Sequence, residues 1–337
     1  MKPSLKSAAF FCLYYSGLEY LLARVIPARA VAVLMYHGVC DQAPIPAHIN
    51  FHVERDVFER QMRALKRRYR VVPLSQVVST LAQCEPLHKA VALTFDDGYR
   101  NNCEFAEPVL KALGLPSTVF VATKYVETGK WMPLNSLYWR WSEGMLSADE
   151  TADLRRTIRD QPSTETRQVL AQLSDPPTKP SQAAEESFEM LSWPEIRQMA
   201  TSGVEFGSHT HSHCNMAVES DELQMEELRI SEELLKKNLG RQVTMFAYPY
   251  GKLSEASRAN VIRARYSCAL STEYGVITNR TDRYRLPRLG NDSRIWVFTG
   301  EILVHFVKQT AKDAWSGFFR RSPSEGVVAS KTEEHNG

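Results

Sequence analysis

The sequence has no CxxC pair, no internal repeat, no heptad array and no clean apolar run of the roughly 20 residues a membrane span needs. Its six cysteines, Cys12, Cys40, Cys84, Cys103, Cys214 and Cys268, are scattered. A chain this large does not need disulfides for stability, so mostly buried, reduced thiols in a reducing compartment are expected. Neither sign of charge is in excess. Lys and Arg number 41 against 39 Asp and Glu, a net charge of +2. That excludes an acidic solvating chain and gives no support to nucleic-acid binding. Sixteen glycines and 17 prolines in 337 residues are too few for a collagenous or low-complexity protein. What is present is ordinary: 43% apolar and 24% charged residues, enough for a sizeable core. The length fits one large domain with insertions, or one domain plus a small one.

The apolar stretch at the N-terminus, Ala8 to Ala23, has Lys2 and Lys6 before it and Arg24 and Arg29 after it. Three readings compete. Ala28-Arg29-Ala30 has the form of a signal-peptide cleavage site, but cleavage there leaves the next strand without a lead-in. A span is spoiled by Ser16, Gly17 and Glu19. The favoured reading is an amphipathic or apolar helix over residues 1–30. It docks on the protein's own core or on a membrane face, with its basic flanks toward anionic headgroups.

Beyond it the chain alternates. Val31 to Tyr36 reads as a buried strand ending at His37-Gly38. Asp56 to Arg68 has Phe58, Met62 and Leu65 at helical spacing and a basic opposite face. Val91 to Phe95 is a second strand, ending in Asp96-Asp97-Gly98. A helix over 101–113 and a strand over Ser117 to Ala122 follow. Residues 127–190 break the rhythm with a polar, helical insertion that includes the linker-like SDPPTKPSQ. Then strands at Val204 to Gly207, Val243 to Tyr248 and Cys268 to Ser271 alternate with helices at Asp221 to Leu239 and Ser254 to Tyr266. A last amphipathic helix runs from Ile295 to Trp315, and 321–337 reads as a disordered tail. Strand–helix alternation with polar residues at strand ends predicts an α/β fold, a parallel (β/α) barrel over 31–320, whose site lies at the C-terminal ends of the strands.

The chemistry-bearing residues fall at those ends. Of Asp96 and Asp97, one can bind a metal while its neighbour serves as a base; Asp-Gly is also a common turn. His209, His211 and His213 crowd into five residues. The i, i+4 spacing of His209 and His213 puts both rings on one face of a helical turn. An extended segment would align all three and keep His211 as a ligand. Two imidazoles and a carboxylate make the open three-ligand set of a catalytic zinc site.

Thr94-Phe95-Asp96-Asp97-Gly98 resembles the TFDDG signature of the polysaccharide deacetylases, carbohydrate esterase family four in a broad sense. His209-Thr210-His211-Ser212-His213 is similar to that family's H-[ST]-x-x-H motif. Phe246-Ala247-Tyr248-Pro249-Tyr250-Gly251 is similar to its third, an aromatic–proline–tyrosine–glycine segment. The motifs stand in family order over about Val31 to Gly290. The resemblance implies a deformed (β/α) barrel and metal-dependent removal of acetyl groups from amino sugars. It assigns Asp96 as general base, Asp97, His209 and His213 as ligands of a divalent metal, most simply zinc, and the backbone N–H of Tyr250 as oxyanion donor. Cobalt, nickel or iron would also suit the ligand set.

Two departures stand out. The family usually carries an Arg in the third motif that orients the base; here that position is Ala247, and Arg288 is the candidate replacement. The general acid usually belongs to a Leu-x-His near the C-terminus. Leu303-Val304-His305 fits the letters but lies within a helical pattern. His37, at the end of the first strand, resembles the Tyr-His motif of a permuted branch and is preferred by the strand-end rule. Trp131, Trp139 and Trp141 either stack on sugar faces or, more simply, pack the helical insertion. The expected partner is a glycan or glycolipid, with no nucleic acid; oligomeric state is open. The expected location is cytoplasmic and peripheral on the inner membrane face, with secretion or the periplasm as the alternative. Hydrolysis of another acyl group and a catalytically silent glycan-binding protein are the other functions the residues permit.

Overall fold

The computed structural model describes residues 4–41, 52–173 and 180–320, without the side chains of 316–320. The expected disordered tail and most of SDPPTKPSQ lie outside the described residues.

Among the described residues nine strands are formed: β1 (Val31–Tyr36), β2 (Gly38–Cys40), β3 (His52–Glu54), β4 (Ala90–Phe95), β5 (Thr118–Val121), β6 (Glu205–Ser208), β7 (Met245–Ala247), β8 (Cys268–Tyr274) and β9 (Leu286–Arg288). β1, β4, β5, β6, β7, β8 and β9 pair in that order, every pair parallel. Leu289 bridges back to Leu34, with N–H···O bonds of 2.9 and 2.8 Å from Met35 to Leu289 and from Leu289 to Val33. The result is a nearly closed seven-stranded (β/α) barrel. β2 and β3 form a separate parallel pair beside its mouth.

The six strands expected from the apolar runs all form, Val31–Tyr36 as expected, Thr118–Val121 and Met245–Ala247 shorter, and Cys268–Tyr274 three residues longer; β2, β3 and β9 lie outside those runs. Parallel barrel strands are buried on both faces, so they read as continuous runs rather than alternating ones. The two faces separate only in the packing. Val31, Val33, Ala90, Ala92, Phe120, Met245, Ala247, Cys268, Leu270 and Leu286 cluster together inside the barrel. Leu74, Val77 and Val78 of the helix Leu74–Ala82 pack against them. Ala32, Leu34, Tyr36, Val91, Leu93 and Phe95 face outward onto helices, including Phe58, Met62 and Leu65 of Arg55–Arg68. Where one long helix was expected at 101–113, a wide first turn, Asn102–Ala106, leads into Glu107–Leu113.

Among its described residues the inserted segment holds four helices, Pro133–Ser142, Ala148–Asp160, Ser163–Leu173 and Gln182–Phe188. Trp131 and Trp139 are buried in it, 6.1 Å apart and nearly perpendicular, with Phe188 against Trp131. Trp139 and Trp141 serve packing here; Trp131 also touches the cavity described below.

The N-terminal segment is two helices, not one. Leu5–Tyr15 and Leu18–Val25 are separated at Gly17, whose φ of 74° ends the first and starts the second. Both dock on the barrel's own helices. Phe10 lies so close to Gly300 of the helix Ile295–Arg320 that a Cβ there would sit 2.6 Å from the ring. Glu19, which spoiled the span reading, is buried against Arg68, Nη2–Oε2 2.8 Å. The rings of Tyr14 and Tyr20 flank that guanidinium at 5.4 and 5.5 Å. No helix among the described residues is long and apolar enough to cross a membrane. Removing one partner of a buried pair strands the other charge, at a cost of about 3–5 kcal/mol. Glu19→Ala is therefore expected to lower the melting temperature clearly, and Glu19→Leu with Arg68→Met to restore most of it; calorimetry on the two proteins checks this.

Candidate active site

The period-two rows of the barrel interior run directly into the candidate residues. Val31, Val33 and Met35 of β1 continue to His37. Ala90, Ala92 and Thr94 of β4 continue to Asp96, Gly207 of β6 to His209, and Leu286 of β9 to Arg288. Register sets the neighbours. Tyr36 pairs with Phe95 and Ser208 with Phe246, so His37 leaves its strand beside Asp96, and His209 leaves beside Ala247. The Asp96 N–H donates to Tyr36 O at 2.9 Å.

Arg288 grips Asp96 with both arms: Nη1–Oδ1 and Nη2–Oδ2 are each 2.7 Å. Both side chains are almost fully buried, and Nε donates to Ser271 O at 2.9 Å. The guanidinium missing at Ala247 thus arrives from β9, two strands away. Burial pushes the Asp96 carboxyl up, but the Arg288 and His209 charges outweigh it and hold the group below its ordinary value.

Asp97 Oδ1 lies 3.5 Å from His209 Nε2 and 3.2 Å from His213 Nε2. One ligand atom from each of the three lies within 4.8 Å of the others. The outer nitrogens are engaged elsewhere: His209 Nδ1 meets Ala247 O at 2.7 Å, and His213 Nδ1 meets the Tyr250 hydroxyl at 3.2 Å. Such outer bonds orient imidazole ligands toward a metal. Asp97 Oδ1 is buried and has no hydrogen-bond partner. A buried carboxylate oxygen without a partner costs on the order of 1–3 kcal/mol, and a cation at the centre of the trio removes that cost. The donor set therefore fits a divalent ion. Burial raises the Asp97 carboxyl, yet the two imidazoles hold it well below the carboxylate range. His209 is pulled down by burial and raised further by Asp97 and Asp96, to a net value above ordinary histidine.

The motif around these histidines is not the helical turn its spacing suggested. Residues 209–215 form a loop, with Thr210 at φ 64° and His213 at φ 60°. Both rings still reach Asp97, with left-handed backbone at Thr210 and His213. Glu227, on the helix Asp221–Leu239, accepts the N–H groups of His211 and Ser212 at 2.9 and 2.7 Å and ties down the loop. His211 turns away from the trio, its Nδ1 3.0 Å from Thr123 Oγ1. Among the described residues only six other than glycine have positive φ, and four of them are Asp97, Thr210, His213 and Tyr250. Backbone strain is concentrated at this site, as at functional centres generally.

Tyr250 (φ 59°) and Gly251 (φ 66°) make a tight left-handed turn after β7. A Cβ at Gly251 would collide with Thr272, which explains the glycine. His37 lines the same cavity as Asp96, Asp97, His209, His213 and Tyr250. Its imidazolium is pulled down by burial, which Asp97 and Asp96 only partly offset. His305 takes no part in the site. It sits on the final helix with Nδ1 2.8 Å from Glu301 O and its ring against Tyr274. Sequence reasoning missed Tyr99, whose hydroxyl donates to Asn135 Oδ1 at 2.9 Å and whose phenol is raised well up by burial and by Asp97. It also missed Glu227, hidden in an ordinary acidic helix.

A family model described as polysaccharide deacetylase matches residues 84–269, more than half of the chain, including Asp97, His209 and His213. The chain belongs to the polysaccharide deacetylase family. It is thus a polysaccharide-deacetylating hydrolase, and the resemblance carried by the TFDDG and His209–His213 motifs holds. The deacetylase is 21% identical over 285 residues to the poly-beta-1,6-N-acetyl-D-glucosamine N-deacetylase of Staphylococcus aureus (strain MRSA252), covering 81% of this chain and 74% of that one. Among solved structures, it resembles the Streptococcus pyogenes deacetylase PplD in complex with acetate: TM-score 0.59, 20% identity, 83% of this chain and 99% of that one. It also resembles IcaB from Ammonifex degensii, with TM-score 0.57, 20% identity, and 82% and 97% coverage. At that identity the structural likeness is one of fold, and the fold it shows is the deacetylase barrel.

Proposed function

We propose that this deacetylase removes N-acetyl groups from an N-acetylhexosamine-containing glycan, using one divalent metal ion. The observation that carries the reading is the Asp97–His209–His213 trio, two of its members buried, beside a carboxylate held in its charged form, Asp96 on Arg288. A divalent ion held by the trio supplies Lewis-acid polarisation of the acetamide carbonyl and of the attacking water. Zinc suits two imidazoles and one carboxylate best. The protein's own groups do the rest. Asp96 accepts the proton of the attacking water, its lone pairs aimed by the Arg288 fork. The Tyr250 N–H, in its left-handed turn, is the donor to the developing oxyanion. His37, at the neighbouring strand end, gives a proton to the departing amine. That the S. aureus relative is a poly-beta-1,6-N-acetyl-D-glucosamine N-deacetylase supports an exopolysaccharide of that class.

The test is acetate release from N-acetylglucosamine oligomers by zinc-loaded protein, with free amines counted in parallel. Equal yields of acetate and amine are expected. Acetate released only from O-acetyl esters overturns the amide reading. No release from either substrate by metal-loaded protein favours a silent glycan-binding protein.

A second observation favours work at a membrane surface. Of the 11 exposed large apolar side chains among the described residues, eight lie on three mutually packed helices at the chain's two ends. They are Leu5, Phe11, Tyr15, Leu18, Leu21, Val25, Val307 and Trp315. Exposed Arg24, Arg29, Lys308 and Lys312 stand on or beside the same helices. Apolar side chains rimmed by cations match an anionic bilayer. This supports a peripheral enzyme, at the cytoplasmic face in our reading. Flotation with phosphatidylglycerol liposomes checks the surface: Phe11→Ser with Leu18→Ser and Leu21→Ser is expected to leave most protein at the bottom of the gradient.

A further inference from the structure

We propose that the wall of the active-site cavity built by the insertion, with Lys124 just before it, recognises an anionic group, phosphate or carboxylate, carried by the glycan substrate. The inference rests on the deacetylase reading and narrows its substrate class. The cavity measures about 780 Å³ and is lined by Asp96, Asp97, His209 and His213 together with Lys124, Lys130, Arg155, Arg159 and Arg167. A neutral N-acetylated glycan gives those cations of the lining that lack a carboxylate nothing to pair with.

The acidic groups of the same lining are already engaged. Asp96 is held by Arg288, and Asp97 faces the two imidazoles. Glu219 accepts the Ser163 N–H at 2.8 Å, and Glu227 accepts three donors from the His211–Ser212 turn. Arg159 is paired with Asp160. Among the described residues, Lys124, Arg155 and Arg167 have no carboxylate partner. Lys124 has only the Tyr125 ring, 5.9 Å from its ammonium.

The cationic helices are fastened to the catalytic loop. Arg159 O accepts from Asn215 Nδ2 at 2.6 Å, two residues past His213, and the Ser163–Glu219 bond ties down the next helix. The charges also reach the centre. Burial raises the Tyr138 phenol, and Arg155 and Arg159 pull it back down. Arg159 lies close enough to Tyr250, which touches His213, for the two to influence each other. The unpaired guanidiniums of Arg155 and Arg167 are exposed and line the same cavity as the catalytic groups. Arginine forks suit bidentate anionic oxygens, of which phosphate and carboxylate are the two a glycan can carry.

Zinc-loaded protein tests this with three N-acetylglucosamine oligomers of equal length: neutral, terminated by a 1-diphosphate, and carrying a hexuronate. The expected result is a kcat/KM for one anionic oligomer on the order of tenfold above the neutral one at low salt. That advantage should shrink as ionic strength rises. Which oligomer leads identifies the anion. Arg155→Gln with Arg167→Gln is expected to bring the ratio to within about twofold of one, since rim charges act mainly on encounter and selection. Equal rates on all three oligomers, or a preference that survives the double substitution, overturns the proposal. If no oligomer is hydrolysed, the deacetylase reading fails, and binding then decides the anion wall alone. Glucose 1-phosphate should bind the zinc-loaded protein more tightly than glucose by NMR titration and lose that advantage in the double variant. Equal binding of the two sugars, or an advantage the variant keeps, counts against the wall.

Discussion

Purified Asp97→Ala protein should carry almost no metal and release no acetate above background, while wild-type protein carries about one divalent ion per chain. The expectation follows from what the carboxylate does in the trio. Asp97 supplies the only negative charge among the three ligand atoms, and its Oδ1 is the buried oxygen with no hydrogen-bond partner. Without it, two imidazoles remain, one of them held at positive φ by a loop that the metal no longer braces. Elemental analysis is the direct readout. His213→Ala should behave alike, because its Nε2 is the closer of the two imidazole nitrogens to Asp97 Oδ1, at 3.2 Å. Asp96→Asn separates chemistry from binding. It removes the base but leaves the trio, so metal content should stay near one while the rate falls by about 10²–10⁴-fold. Full metal occupancy in Asp97→Ala protein would show that the ion sits elsewhere, and the assignment of all three ligands would fall with it.

Much of this site was legible because barrel strands carry their information at their ends. A run such as VALTF cannot say which residues face inward, since parallel strands are buried on both faces. It does say where the strand stops, and in a barrel that is where the site lies. Asp96, Asp97, His209 and His37 were found that way. The Arg288–Asp96 contact joins residues 192 apart in the chain, so no local pattern could prove it; Leu-Pro-Arg at a strand end offered only a candidate. The His209–His213 geometry was misread because spacing of four suits a helix equally well. What decides is Glu227, whose carboxylate binds two loop N–H groups from a helix with no distinguishing sequence mark. The N-terminal segment was expected as one helix, with Gly17 counted only against a membrane span; its left-handed φ makes it a break between two helices. Glu19 shows the opposite case. A single acidic residue in an apolar run was a sound sign that the segment docks on protein, and its partner Arg68 is the reason it can be buried.

Arg288→Met should move the acidic limb of the kcat/KM profile to higher pH. In the wild-type protein burial pushes the Asp96 carboxyl up, and the Arg288 charge more than cancels that, leaving the group below its ordinary 3.8. The base is therefore ionised throughout the neutral and mildly acidic range. Without the guanidinium, burial dominates and the pKa rises above the ordinary value, so the base is ready only at higher pH. Stability should change sign with it. In wild type the depressed group stabilises the fold above the unfolded carboxylate range near 3.9, and that contribution is lost as pH falls through the folded value. In Arg288→Met the raised group favours the fold at acidic pH, and that advantage is lost as pH climbs through the new folded value. The variant's melting temperature should therefore drop toward neutral pH, where an unpaired buried carboxylate costs about 3–5 kcal/mol. Arg288→Lys keeps one charge but not the fork, and should fall between the two in both measurements. A variant that loses rate with no movement of the acidic limb, while keeping its metal, would mean that Arg288 holds the barrel closed rather than tuning the base. The double grip of 2.7 Å on each Asp96 oxygen is the reason to expect otherwise.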